Sequence, residues 1–234
     1  MKALQEMNLV DDFLVNSLTS HKVYGEAASR YILECIMGRK IGRLAVVPQR
    51  FLCGENGEDH GIRLDVYLDE EAGGIFDVEP DRNGSRQEKE TLPRRVRFYH
   101  AKIDSGSLAA GEDYGKLRNV AVIFITTYDP FERGRMLYTV RNGCVEEPDI
   151  PYDDGAETLF LYTRGEKGNP PEKLRELLRY MEHSMEYLFH GRKCTDQGAQ
   201  GAASDGDRSK AGRRGRVCVY EELRERTENP GRRA

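Results

Sequence analysis

The chain has 234 residues, of which 38% are hydrophobic and 32% charged, and its 36 Lys and Arg against 40 Asp and Glu give a net charge of −4. This length supports one globular domain with a sizeable core, and the near balance of charge excludes a histone-like or wholly disordered polyelectrolyte. No stretch approaches about 18 consecutive apolar residues, and acids interrupt the N-terminal segment, so we expect no membrane span, no signal peptide and a cytoplasmic protein. The five cysteines form no C-x-x-C pair, which argues against a zinc site or a disulfide framework.

Charge is distributed unevenly along the chain. From His190 onward there are 11 Lys and Arg against 7 Asp and Glu, whereas the first 189 residues carry 25 against 33. The tail is built mainly from Gly, Ala, Ser, Asp and Arg and has almost nothing apolar to bury, which is typical of disorder. We therefore predict a folded domain over 1–190 and a disordered tail over 191–234.

Hydrophobic periodicity predicts helices and strands that alternate along the folded domain. In chain order these are helices at 9–18 and 26–37, strands at 41–47, 62–69 and 75–81, a helix at 92–108, strands at 120–127, 136–140 and 158–163, and a helix at 171–189. Pro93 suits the first turn of the third helix, and the unbroken apolar run at 120–127 is typical of a strand buried on both faces. This order predicts a mixed α/β sheet flanked by helices.

Two consecutive strands, RLDVYLD and IFDVEPD, alternate apolar and polar residues, and the loop EEAGG between them predicts an antiparallel hairpin. Since residues two apart in a strand share a face, we expect Leu64, Val66 and Leu68 to point together into the core. The acids of the two strands then line the other face.

The loop also sets the expected register of the hairpin, which pairs Tyr67 with Asp77 and Asp65 with Glu79. Two carboxylates directly opposite each other repel unless a cation lies between them, and Mg²⁺ prefers carboxylate oxygens and water as ligands. The pattern therefore predicts a metal site. The alternative is the solvated face of an ordinary hairpin, because the register depends on the assumed loop.

A basic segment, LPRRVRFYHAK, follows the hairpin and is predicted to be helical. It contains no acid and four basic residues, Arg94, Arg95, Arg97 and Lys102. Such a helix offers donors to phosphate groups, and Phe98 and Tyr99 are suited to packing against sugars or bases; a solvated basic face is the alternative. A carboxylate pair that holds a metal, followed by a cationic helix, is what phosphodiester hydrolysis requires.

The Asp65 strand, the Glu79-Pro80-Asp81 strand and the following RR-x-R-x-Y helix resemble the PD-(D/E)XK nuclease superfamily. More closely, several motifs in the same order resemble its recombination-promoting nuclease and transposase (Rpn-like) branch, over about 9–189. These motifs are DDFL, RLDVYLDEEAGGIFDVEPD, LPRRVRFYHAKID, GEDYGKLRNVAVIFITTYDPF and YTVRN. The resemblance implies a restriction-endonuclease-like α/β fold, with an αβββαβ core, a mixed sheet flanked by helices, and additional C-terminal strands and a helix.

The resemblance also implies metal-dependent DNA cleavage. Asp65 and Glu79 would bind Mg²⁺ or Mn²⁺, with the Pro80 carbonyl as a further ligand. The helix before the first strand would supply another acid, Glu26 in preference to Glu34. The residues expected to bind DNA are Arg94, Arg95, Arg97, Tyr99 and Lys102.

The chain departs from this family at position 81, where Asp81 replaces the usual Lys or Gln. A lysine would polarise the attacking water, whereas Asp81 is limited to orienting water as a base or to binding metal. Arg82, Arg94 and Lys102 are nearby cations that could replace the lysine. Pro80 has no N–H, which suits an edge strand or a bulge.

These observations predict a Mg²⁺-dependent DNA endonuclease linked to recombination or transposition, with Asp65, Glu79 and Asp81 as its catalytic acids. One alternative keeps the fold as an inactive DNA-binding relic of the family, which Asp81 favours. A second alternative is a protein-interaction module that self-associates as a homodimer through the acidic hairpin and the basic helix. Motifs for phosphate loops and serine nucleophile elbows are absent.

Overall fold

The computed structural model describes residues 8–52, 61–71 and 73–196, without the side chains of 12–14 and 185–196. Its helices are α1 (Asp12–Thr19), α2 (Gly25–Met37), α3 (Arg86–Ser105) and α4 (Glu172–Asp196). Its strands are β1 (Leu44–Leu52), β2 (Ile62–Glu70), β3 (Ile75–Asp81), β4 (Val120–Thr126), β5 (Leu137–Val140) and β6 (Ala156–Tyr162). Within these described ranges, none of the helices combines the length and apolar character that crossing a bilayer requires.

One six-stranded sheet organises the fold, in the order β1-β2-β3-β4-β6-β5. The pairs β1–β2, β2–β3 and β5–β6 are antiparallel, whereas β3–β4 and β4–β6 are parallel. The sheet is therefore mixed, as predicted, and α2, β1–β3, α3 and β4 form the expected αβββαβ core. The strands β5 and β6 and the helix α4 are the additional C-terminal elements.

The sheet has a different cover on each face. Helices α1, α2 and α4 pack on one face around a large apolar cluster, and α3 covers the other face with a smaller cluster. Both faces of β4 are buried along its whole length, as its unbroken apolar sequence predicts. We call the second face, beneath α3, the α3 face.

Helix α3 begins earlier than the sequence pattern predicts. Ser85 is its N-cap, and the Ser85 side-chain oxygen accepts a hydrogen bond from the Glu88 N–H at 3.3 Å. Pro93 consequently lies inside the helix rather than in its first turn. The first two turns were missed because they are almost entirely polar and give no apolar stripe.

The side chains of β2 do not keep one alternation along the strand. Val66 and Leu68 belong to the cluster under α1, α2 and α4, but Leu64 belongs with Tyr67 to the cluster on the α3 face. The prediction that Leu64 points with Val66 and Leu68 is therefore wrong. The change of face occurs between Leu64 and Val66, at the level of Gln49 in β1, which has a left-handed φ of 51°.

Pro80 lies in an interior strand and not at an edge of the sheet, which corrects that expectation. Ile75 donates its N–H to the Asn119 carbonyl beside β4, and strand donors alternate sides, so the nitrogen of residue 80 faces β2. The ladder between β2 and β3 has already ended at Val78. Pro80 therefore replaces no donor that the ladder needs.

The predicted folded domain ended at residue 190, but α4 continues to Asp196. The rest of the predicted tail, 197–234, lies outside the described residues. The stripe Leu174, Leu177, Leu178 and Met181 is fully buried and belongs to the core. Cys35 and Cys144, the cysteines whose side chains the structure describes, are free thiols.

Candidate active site

The hairpin of β2 and β3 carries the candidate active site and has the register that its loop predicts. Asp69 lies opposite Ile75, and Tyr67 lies opposite Asp77. The prediction of an antiparallel acidic hairpin is therefore confirmed, and with it the register at these two pairs.

Asp65 and Glu79 meet just beyond the last backbone pair, Val66–Val78. The Asp65 backbone N–H donates to Oε1 of Glu79 at 2.7 Å, so a side-chain oxygen takes the place of a backbone acceptor. The negative charge of Asp65 also raises the pKa of Glu79. The structure thus brings the backbone of Asp65 and the carboxyl group of Glu79 into direct contact.

Four acids of β2 and β3 are buried along this end of the hairpin. Their exposed fractions are 9% for Asp65, 0% for Asp77, 5% for Glu79 and 7% for Asp81. We call these four residues the acidic cluster. Carboxylates are seldom buried without a compensating charge or a full set of hydrogen bonds, so this arrangement is costly unless something neutralises it.

Asp77 is the member that sequence reasoning left out of the site. Both of its carboxylate oxygens are buried, and its side-chain interaction with the carboxyl group of Glu79, on the same face of β3, lowers its pKa without offsetting the effect of burial. Burial, reinforced by the negative charge of Asp65, raises the pKa of Asp77 to about 8. The signal for it was available, because Asp77 is two residues before Glu79 and must share its face of β3.

Glu79 is perturbed in the same direction. Burial raises the pKa of Glu79 well above its usual range, and the negative charges of Asp77 and Asp65 raise it further. The hydrogen bond from the Asp65 N–H opposes this rise but does not cancel it. If all its members were ionised, the cluster would hold more negative charge than is favourable in a buried site, and the raised pKa values mean that bound protons offset part of this charge.

Asp81, by contrast, is fully engaged with cationic and backbone donors. Its Oδ2 accepts a hydrogen bond from Nη2 of Arg95 at 2.6 Å, and its Oδ1 accepts from the Asn83 N–H at 2.9 Å. The guanidinium of Arg95 also lies 4.8 Å from the centre of the Phe124 ring. Arg95 therefore contacts both Asp81 at the end of β3 and the Phe124 ring on β4.

Tyr99 lies one helical turn after Arg95 and shares its side of α3. Burial raises the pKa of the Tyr99 phenol, and the negative charge of Glu79 raises it further. The ring of Tyr99 also lies 6.1 Å, centre to centre, from that of Phe124, over which the Arg95 guanidinium lies, and this contact puts Tyr99 on the same inward side of α3 as Arg95. Of the five residues predicted to bind DNA, Arg95 and Tyr99 are the two that the structure brings to the acids.

The other three predicted DNA-binding residues lie apart from the acidic cluster. Arg94 and Arg97 are exposed on the outer side of α3. Lys102 is half-buried, with its ammonium group 5.6 Å from the centre of the Phe98 ring. The basic segment is therefore divided: Arg95 and Tyr99 face inward, whereas Arg94, Arg97 and Lys102 lie apart from the acidic cluster.

Glu26 also lies apart from the acidic cluster. It is on α2, whose buried residues pack on the face opposite α3, and its carboxylate forms an ion pair with Arg30 one turn later. Glu34 accepts a hydrogen bond from the Ile41 N–H and pairs with Lys40. The structure therefore does not bring either acid of α2 to the hairpin.

Whether the site can bind a metal ion depends on the donors that the acidic cluster offers. Over residues 8–52, 61–71 and 73–196, side chains of His, Cys, Asp and Glu do not gather in threes closely enough to enclose an ion. The cluster nevertheless offers the carboxyl group of Glu79, which accepts from the Asp65 backbone N–H, together with the buried carboxyl groups of Asp65 and Asp77. This donor set suits a hard divalent cation that is held by few protein ligands and keeps several waters.

The fold and the site together define a restriction-endonuclease-like α/β protein with buried acids on a β-hairpin beneath a basic helix. Comparison with family models adds an independent finding: residues 23–142, just over half of the chain, match the PD-(D/E)XK nuclease family transposase model. The chain belongs to this family. The matched range runs from before α2 to just past β5 and contains the whole acidic cluster. No curated protein and no solved structure matches the chain.

Proposed function

We propose that this protein is a Mg²⁺- or Mn²⁺-dependent DNA endonuclease that acts in recombination or transposition. The observation that carries the proposal is the buried contact between Asp65 and Glu79 on the hairpin of a PD-(D/E)XK fold. Family membership supports nuclease chemistry and DNA as the substrate. Enzymes of this superfamily typically use divalent metal ions.

In this proposal Asp65 and Glu79 hold the ion, and the Pro80 carbonyl is a further ligand. A bound Mg²⁺ would lower the pKa of a coordinated water and offset negative charge at the phosphate. Helix α3 packs on this face of the sheet and helps to exclude bulk water, which strengthens the charge interactions within the site. Hydrolysis then adds water across one P–O bond of the backbone, with the deoxyribose oxygen as the leaving group.

The outward residues of α3 supply a second part of the machinery. Arg94 and Arg97 project into solvent from the outer side of α3, where they can contact backbone phosphates without sequence preference. We propose that these two residues hold the DNA strand while its scissile phosphate enters the acidic cluster. Lys102, further along the same helix, extends this contact.

The test compares supercoiled plasmid with the purified full chain in Mg²⁺, in Mn²⁺ and in EDTA. We expect metal-dependent nicking that Asp65→Asn and Glu79→Gln abolish, because both substitutions keep the side-chain shape but remove the charge that binds metal. Asp149→Asn is the matched control, since Asp149 is an exposed acid in the connection between β5 and β6. Its nicking rate should equal that of the unaltered protein.

A second candidate is a DNA-binding relic that no longer cleaves, and the absence of a lysine at position 81 favours it. Binding of a fluorescent duplex at low salt with no nicking in either metal would establish this candidate. If the protein neither binds nor nicks DNA, the remaining candidate is a self-associating module, and sedimentation of a homodimer would support it.

A further inference from the structure

Position 81 lacks the Lys or Gln that is usual in the family, and the structure shows which neighbouring cations are already engaged elsewhere. Arg82 forms an ion pair with Asp11, the residue that precedes α1. Lys102 lies over the Phe98 ring, and Arg94 is exposed on the outer side of α3. These contacts do not place any of the three beside Asp81.

Arg95 does reach the cluster, from α3 and not from the strand. Its Nη2 donates to Asp81 at 2.6 Å, and its guanidinium lies over Phe124. The ring below and the carboxylate beside it fix the plane of the guanidinium. A side chain held in this way loses little further freedom when it binds a ligand.

The guanidinium of Arg95 also has donors to spare. Its Nε–H is buried and donates to no acceptor among the described residues. Its Nη1 lies 3.5 Å from Glu88, which is within ion-pair range but is a weak contact. An arginine carries five N–H donors, and the pair with Asp81 uses only one of them here. Unused, fixed donors beside buried carboxylates suit a phosphate oxygen.

We propose that Arg95 is a catalytic residue that donates to a non-bridging oxygen of the scissile phosphate, and that Asp81 is a positioning residue that holds it. This inference rests on the proposed nuclease function. Arg95 stays protonated throughout and exchanges no proton; its role is to stabilise the negative charge that grows on the phosphate. Asp81 is then neither the general base nor a metal ligand.

The arrangement differs from a lysine at position 81 in one important respect. A lysine would add a full positive charge, whereas the Arg95–Asp81 pair is formally neutral. The proposed donor therefore works through directed hydrogen bonds more than through net charge, which predicts a slower enzyme than one with the lysine. The same reasoning explains why an acid at position 81 is compatible with cleavage.

The first experiment separates kcat from KM with a short duplex in saturating Mn²⁺. Arg95→Gln should lower kcat by about 100-fold, the usual loss when one preorganised donor is removed, and change KM by less than about threefold. Arg94→Gln should do the reverse, because Arg94 contributes to holding DNA. Arg179→Gln, at an exposed arginine on α4 across the sheet, should leave both constants unchanged.

The second experiment distinguishes catalysis from a merely structural pair. The double variant Asp81→Asn with Arg95→Gln removes both charges together, so its melting temperature should recover towards that of the unaltered protein. Its kcat should stay as low as that of Arg95→Gln alone. Recovery of kcat together with stability would show that Arg95 only neutralises Asp81, and would overturn the inference.

The third experiment restores a cation from the strand. Asp81→Lys combined with Arg95→Gln should cleave faster than Arg95→Gln, by about 10-fold or more if the cation stabilises the phosphate. This rescue also covers the case in which Arg95→Gln folds poorly, since the substitution at position 81 removes the acid that would otherwise be left unpaired. Equal, undetectable cleavage by both variants would contradict the inference.

The outcomes for the inference and for the proposed function are distinct. If the unaltered protein does not nick DNA in any metal, the nuclease function fails and the role of Arg95 fails with it. If the unaltered protein nicks DNA, Asp65→Asn does not, and Arg95→Gln cleaves at the full rate, then only the role of Arg95 is wrong.

Discussion

Asp77 and Glu79 lie on the same face of β3, both buried beneath α3, and the negative charge of Asp77 raises the pKa of Glu79. Both acids therefore hold a proton in the folded protein at a pH where the unfolded chain has lost it. This relationship determines how the stability of the metal-free protein depends on pH.

The free energy of unfolding should fall as pH rises from about 5 to 8 in EDTA, because the pKa of Asp77 is about 8 when folded and near 4 when unfolded. Each proton held only by the folded state contributes about 1.4 kcal/mol per pH unit. Asp77→Asn should reduce this slope, as urea unfolding at several pH values would measure. Asp149→Asn should keep it, and an unchanged slope in Asp77→Asn would contradict the burial argument.

Divalent ions should stabilise the protein. Binding to the folded state alone raises the free energy of unfolding by about 2.7 kcal/mol when the ion is at 100 times its Kd. We expect the melting temperature to rise with Mn²⁺ concentration at pH 8, and to rise much less in Asp65→Asn. A melting temperature that does not change with Mn²⁺ concentration would argue against a metal site at the hairpin, whatever the nicking assay shows.

Phe124 should matter for both stability and cleavage, because its ring is fully buried and lies under Arg95. Phe124→Leu should cost about 1–2 kcal/mol in the free energy of unfolding. It should also lower kcat several-fold, since Arg95 loses its aromatic support. Phe160→Leu is the control: Phe160 stacks on Phe124 at 5.8 Å, and its substitution should cost similar stability without changing kcat.

DNA affinity should depend steeply on salt through the outward arginines. Arg94→Gln or Arg97→Gln should each reduce the slope of log Kd against log salt concentration by about 1, because each removes one phosphate contact. Fluorescence anisotropy with a duplex in Ca²⁺ measures this slope. Unchanged slopes in both variants would show that Arg94 and Arg97 do not contact the phosphates of the DNA backbone.

Much of the fold could be predicted because the signals were local. Strand β3 runs over Ile75–Asp81, as its alternation predicts, and the short loop before it fixes the hairpin register. The beginning of α3 was missed because its first turns are polar and the Ser85 cap has no apolar neighbour. Leu64 was placed on the wrong face because β2 changes face between Leu64 and Val66, which a regular alternation in the sequence does not predict.

The site was harder to predict because it joins two elements. The cluster Arg94, Arg95 and Arg97 looks uniform in sequence, yet successive helix residues differ by about 100° in direction. The spacing of Arg95 and Tyr99, four residues apart, could have assigned both to the inner side of α3. The ion pair between Arg95 and Asp81 depends on how α3 packs across the sheet, which a sequence pattern does not contain.

The end of the β2–β3 ladder at Val78 has a consequence for which residues tolerate exchange. Since the nitrogen of residue 80 faces a gap, a residue without an N–H is tolerated there, within the size limit that the burial of Pro80 sets. Position 79 is more restricted, because the Glu79 carboxylate must reach from β3 to the Asp65 N–H on β2, at 2.7 Å. An aspartate at position 79 would be one methylene too short. The length of this side chain, and not its charge alone, therefore connects β2 and β3 beyond the end of their ladder.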